Sequence, residues 1–256
     1  MTLLSALASG GLIGLVLGLV GGGGSILAVP LLIYVVGLTS PHTAIGTAAV
    51  VVAVGAALSL VGHWRAGTVK WRCAGVFALA GIAGAALGAE AGKAFDGQYL
   101  LALFGLLMIV VGAMQFHSRA AGGDPDIQLN AQTARHMIPR LTPAGLGVGA
   151  LAGFFGIGGG FLIVPALMRT TGLPIRFAIG SSLAVIVALG MTSATSYAWS
   201  GYVDWSIATQ MIAGATIGAF AGIALGKVAI GHKTVLETVF ALAVIASGTA
   251  ILATSI

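Results

Sequence analysis

The sequence predicts an all-α polytopic membrane protein made of two homologous halves, set as inverted-topology repeats with short broken helices at glycine-rich loops. Three observations carry this expectation. Of the 256 residues, 58% are hydrophobic and only 7% are charged, whereas a soluble domain carries about 25% charged residues. Such a chain cannot cover a globule with a water-compatible surface. Its apolar runs are long and continuous, which suits membrane helices and not the alternating strands of a β-barrel. The pattern of the first half returns in the second.

The composition excludes other classes as well. Lys and Arg number 11 and Asp and Glu 6, a net charge of +5, but the basic residues sit in short loops. They read as a topology signal, so no nucleic-acid partner is expected. The single cysteine, Cys73, excludes an internal disulfide and any CxxC site. No basic region precedes the first apolar stretch, so a cleavable signal peptide is not expected.

From Met1 to His63 the chain holds no Asp, Glu, Lys or Arg. That is too long for one crossing, which takes about 20 residues. Glycines at 21–24 and the Gly37–Pro41 stretch divide it into a segment near 3–20, a short one near 25–37 and a full one near 42–62. Spans near 73–92 and 98–116 follow. Residues 117–142 form the one extended hydrophilic connector, with Arg119, Asp124, Asp126, Arg135, His136 and Arg140. Beyond it come 143–156, a short piece at 160–172, then 176–199, 205–226 and 235–254. The halves are therefore 1–116 and 143–256.

Their register matches in detail. Gly18, Gly21, Gly23, Gly24, Val29, Pro30 and Gly37 fall on Gly153, Gly156, Gly158, Gly159, Val164, Pro165 and Gly172. After a one-residue slip, Ala44–Thr47 (AIGT) falls on Ala178–Ser181 (AIGS), and Gly67 and Trp71 fall on Gly201 and Trp205. If each half crosses an odd number of times, Arg65, Lys70, Arg72, Arg119, Arg135, Arg140, Arg169, Arg176, Lys227 and Lys233 share one face. Only Lys93 joins Glu90, Asp96 and Asp204 on the other. The positive-inside rule then puts the 117–142 connector in the cytoplasm and both termini outside. The first two segments of each half act as a helical pair.

Runs of glycine break helices, and irregular backbone survives in hydrocarbon only inside protein or beside a polar cavity. Isolated glycines such as Gly84, Gly88 and Gly92 read as close helix packing. The clusters open short helices, with Ser25 at the cap position in one half and Gly160 in the other. Helix N-termini attract anions, and two of them meeting near the midplane make an anion site without a buried Arg or Lys. The candidate substrate-binding residues are Gly22, Gly23, Gly24, Ser25, Thr47, Gly158, Gly159, Gly160, Ser181 and Ser182. The hydroxyls of Thr47, Ser181 and Ser182 serve equally well in helix–helix hydrogen bonds.

These motifs resemble the sulfite exporter TauE/SafE family of membrane permeases. The resemblance rests on G-x-G-G-G-x-x-x-V-P at Gly156–Pro165 with its variant GGGGSILAVP, on A-x-G-[TS], and on G-x-V-x-W at Gly67–Trp71 and Gly201–Trp205. It spans both halves. It implies transport of small anions, notably sulfite, sulfonates and related sulfur compounds, across the cell membrane. Thr47-Ala48 departs from Ser181-Ser182, so the resemblance does not imply a strictly symmetric site.

Other polar groups read as structural. Glu90 and Lys93 stand at i,i+3 spacing and suit a local ion pair, as do Lys233 and Glu237. His42 and His63 flank one span, and Trp64, Trp71, Trp199 and Trp205 mark span ends. No HExxH, paired Asp or Ser/His constellation appears in the spans, so no catalytic residue, metal or cofactor is expected. A secondary carrier working by alternating access is the leading expectation. An anion channel or an intramembrane enzyme are the alternatives, and the oligomeric state is open.

Overall fold

The structure, a computed structural model, describes residues 3–117, 129, 131–228 and 233–255. Ten helices and no strand occur among the described residues. Helix α1 (Leu3–Val20) leads into an irregular helix α2 (Gly22–Val36), followed by α3 (Pro41–Arg65), α4 (Trp71–Ala94) and α5 (Gly97–His117). The second half holds α6 (Ala131–Phe154), α7 (Gly160–Thr171), α8 (Ile175–Trp199), α9 (Trp205–Val228) and α10 (Lys233–Ser255). Among the described residues five stretches are long and apolar enough to cross a membrane: Pro41–Arg65, Trp71–Ala94, Gly97–Met114, Ile175–Trp199 and Trp205–Leu225. The chain is a multi-pass membrane protein.

Local sequence explains the element boundaries. Proline occupies the first position of α3, where its missing N–H costs nothing, and the Ser40 hydroxyl caps it by accepting from the Thr43 N–H at 3.4 Å. Helix α2 is 3-10 over Gly22–Leu27, α over Ala28–Pro30 and π over Leu31–Val36. The glycine run holds no fixed α-geometry, and Pro30 removes one ladder hydrogen bond, so the winding loosens around it.

Helix α6 begins at Ala131, well before the expected apolar span at 143–156, and takes Arg135, His136 and Arg140 into its first turns. Ala, Gln, Arg and Met favour helix whatever their polarity. Hydropathy marks where the chain becomes apolar, not where the helix starts.

Helices pair crosswise between the halves. Helix α1 runs parallel to α9: side chains added at Gly10, Gly14 and Gly18 would meet the backbone of Met211, Ala215 and Ala219. Helix α6 runs parallel to α4 in the same way, with Gly84, Gly88 and Gly92 against the carbonyls of Leu146, Ala150 and Phe154. The isolated glycines are thus packing positions that let two backbones touch. Helices α3 and α8, which occupy equivalent places, cross antiparallel, with Gly46 beside Tyr202, Gly190 beside Ala53 and Gly180 beside Thr68. Helices α5 and α10 are likewise antiparallel, through Gly105 and Gly248.

This packing separates the charges. The C-terminus of α3, the N-termini of α4, α6 and α8, and the C-terminus of α7 share one end, bringing Arg65, Lys70, Arg72, Arg140, Arg169 and Arg176 together there. At the other end the Lys93 ammonium donates to Glu90 at 2.7 Å and to the Ser200 hydroxyl at 2.9 Å, while Ser196 donates to the same Glu90 oxygen. The expected local ion pair is present and joins α4 to α8. The side chains of Lys233 and Glu237 lie outside the described residues.

Candidate substrate-binding site

Each glycine cluster is the tip of a helical hairpin. Gly24 packs against Ile13 and Leu17 of α1, and Gly159 against Val148 and Ala152 of α6. The chain therefore reverses at once, and α2 and α7 run back along the helices that precede them. The reversals need left-handed backbone, with φ of 73° at Gly21 and 60° at Gly156. A side chain at Gly21 would strike Ile179, and one at Gly156 would strike Ile45, each in the opposite half.

The two tips meet. A Cβ on Gly22 would fall on the carbonyl oxygen of Gly160, and one on Gly160 would fall on that of Gly22. Gly158 faces Val52 of α3 and Ile186 of α8, both near the middle of 25-residue helices. The opening turns of α2 and α7 thus converge halfway along the central crossed pair. Helix N-termini carry N–H groups without intrahelical partners and a partial positive charge. Gly22, Gly23, Gly24, Ser25, Gly158, Gly159 and Gly160 are all buried.

Ser25 is not the cap of α2. The N-cap is Gly21, and the Ser25 hydroxyl lies inside the first 3-10 turn, donating back to the Gly22 carbonyl at 2.9 Å. The helix starts earlier because the glycines themselves wind into it. In the second half the cap is Gly159, and Gly160 is the first helical residue.

The A-I-G-[TS] elements do something the sequence did not reveal. Thr47 accepts a hydrogen bond from the Asp204 N–H at 3.0 Å, and Ser181 accepts one from the Lys70 N–H at 2.8 Å. Gly46 and Gly180, one residue earlier, lie against the carbonyls of Tyr202 and Thr68. Each A-I-G-[TS] element therefore clamps the G-x-V-x-W loop of the other half: glycine makes room and the hydroxyl holds the backbone. One clamp sits at the basic end of the bundle, the other at the opposite end. Ser182 has no such partner and donates to the Ile179 carbonyl at 2.8 Å.

The model of the sulfite exporter TauE/SafE family matches residues 6–251. The chain belongs to this family. A relative from Xylella fastidiosa (strain Temecula1 / ATCC 700964), "Probable membrane transporter protein", is 47% identical over 245 residues, covering 96% of this chain and 93% of that one. "Probable membrane transporter protein YunE" of Bacillus subtilis (strain 168) is 29% identical, covering 82% and 83%. "Probable membrane transporter protein YdhB" of the same strain is 27% identical, covering 82% and 85%. No solved structure matches the chain. The protein is a membrane transporter of the TauE/SafE family and not an enzyme.

Sequence reasoning did not reach Ile45 and Ile179, or the backbone of Lys70 and Asp204, as neighbours of these elements. The clamps also yield a stability prediction. Thr47→Val and Ser181→Ala each leave a partly buried N–H unpaired and should cost about 1–3 kcal/mol. Thermal unfolding in detergent measures this, and an unchanged midpoint in both variants would show that the hydroxyls do not hold the loops.

Proposed function

We propose that the protein is a secondary carrier of small sulfur-containing oxyanions, such as sulfite or sulfonates, across the cell membrane by alternating access. The observation that carries this reading is the meeting of the two hairpin tips beside the middle of α3 and α8. The substrate charge is held there by N–H groups of Gly22–Gly24 and Gly158–Gly160, with Ser25 and Ser182 as nearby hydroxyls. Thr47 and Ser181 border the same region, and their clamps are the two gates. Releasing the Lys70–Ser181 clamp opens the basic end, and releasing the Asp204–Thr47 clamp opens the other.

Equivalent helices that cross antiparallel support an inverted repeat of the two halves, 1–116 and 143–256. By the positive-inside rule the basic end and the 117–142 connector are cytoplasmic and both termini are outside. In a Cys73→Ser background, Asp124→Cys and Ile256→Cys should be labelled from opposite sides of the membrane. Labelling of both from one side would overturn this orientation.

Uptake by reconstituted vesicles, assayed with sulfite, thiosulfate, sulfate, sulfonates and carboxylates, tests the substrate. Counterflow at fixed voltage tests the mechanism: a carrier shows trans-stimulation by unlabelled anion, and its absence would favour a channel. If the Ser182 hydroxyl turns from the Ile179 carbonyl to the bound anion, Ser182→Ala should weaken the affinity by about 1–3 kcal/mol through loss of one charge-assisted bond.

A further inference from the structure

At the basic end, α6 and α7 line an open pocket of about 460 Å³ whose lining includes the exposed residues Arg140, Arg169 and His136. The geometry points to a second anion site here, a vestibule in which Arg140 and Arg169 capture the transported oxyanion before it reaches the hairpin tips. This rests on the carrier reading above.

Positive-inside charge placement accounts for arginines at this end of the bundle, but not for two of them facing one cavity. Nor is Arg169 used to finish its helix. The last carbonyls of α7 are met by others: Ala166 by the Thr170 hydroxyl at 2.7 Å, Leu167 by the Thr171 hydroxyl at 2.6 Å and Met168 by the Gly172 N–H at 2.8 Å. Among the described residues neither Arg140 nor Arg169 forms an ion pair, and the cavity lining holds no carboxylate. Two guanidiniums offer forked donors suited to the oxygens of a sulfur oxyanion.

The arginine pair is not repeated at the equivalent positions of the other half. The register that places Gly37 on Gly172 places Tyr34 on Arg169 and Ser5 on Arg140. The Tyr34 hydroxyl is instead paired with Thr254 of α10, at 2.5 Å. So the two ends of the transport path differ in charge although the tips between them are alike. Helix α7 itself connects the vestibule to the tips: its 12 residues reach about 18 Å at 1.5 Å per residue.

The test measures sulfite uptake kinetics of the wild type, the Arg140→Gln/Arg169→Gln pair and the Arg140→Lys/Arg169→Lys pair. Proteoliposomes are made of phosphatidylcholine alone or with phosphatidylglycerol, and size-exclusion chromatography checks the fold. The proposal expects the glutamine pair to raise KM roughly tenfold for entry from the basic end in both lipid mixtures, with kcat little changed. For entry from the other end the loss should fall on kcat and not on KM, since both directions of a carrier share one equilibrium; the lysine pair should recover part of the loss, and added salt should weaken the wild type but not the glutamine pair. An unchanged KM would overturn the vestibule. A change confined to phosphatidylglycerol vesicles would also overturn it, since the cavity would then hold a lipid headgroup. Calorimetric titration of the detergent-purified proteins with inorganic sulfate separates this inference from the carrier reading. If the wild type transports no sulfur oxyanion, the function proposed above fails. The vestibule still stands if sulfate binds the wild type and not the glutamine pair, and falls if the two behave alike.

Discussion

Gly22→Ala should abolish anion uptake while leaving a protein that still purifies as a folded species, and Gly160→Ala should do the same. Each glycine backbone lies against the other, and an added methyl carbon would occupy the position of the facing carbonyl oxygen. The tips must then part, and the N–H groups proposed to hold the anion no longer converge. The hairpin ends can separate without disturbing the long helix pairs, so the loss should fall on transport first. Gly75→Ala and Gly147→Ala are the controls. Both are helical, and a Cβ at either would meet nothing within 4 Å. They should transport normally and gain up to about 1 kcal/mol of helix propensity. Normal uptake by Gly22→Ala and Gly160→Ala would reduce the clusters to packing devices. Gly159→Val is a poorer probe, because φ is 64° there and a branched residue would strain the backbone itself.

The opposite outcome is expected for Gly14→Leu and its equivalent Gly149→Leu. These glycines sit inside parallel helix pairs, where a side chain would run into the carbonyls of Ala215 and Gly81. Overpacking of a closed interface costs typically 1–3 kcal/mol and more when backbone must move. Here two helices would have to separate along much of their length. Little folded protein should be recovered, as read by fluorescence-detected size exclusion. A melting midpoint close to that of the wild type would sink the backbone-contact account of α1–α9 and α4–α6.

Much of this fold was legible before the structure. Span positions followed from apolar runs and their glycine or proline breaks, and α2 and α7 fell within a few residues of the expected short segments. What could not be read was the pairing. Glycines at four-residue spacing in α4 announce a close neighbour, but nothing in them names α6. The same holds at the candidate site. The convergence of the clusters followed from their matched positions, whereas the engagement of Thr47 and Ser181 depended on which loop came to lie beside them. Ser25 was misplaced by the rule that a serine before an apolar run caps a helix. A glycine run winding as 3-10 helix moves the cap four residues earlier, from Ser25 to Gly21.

The crosswise pairing of α1 with α9 also bears on how the chain is made. The contact of Gly10 with Met211 spans 201 residues, so α1 must wait in the bilayer, the glycine face that α9 will cover still bare, while seven further helices are inserted. Helix α6, by contrast, finds α4 already in place. Assembly is therefore lopsided although the finished halves match: α1 is inserted long before its partner, and α6 after its own. A ribosome that stalls before α9 leaves α1 held by α2 and α3 alone, with the glycine face that α9 covers still bare.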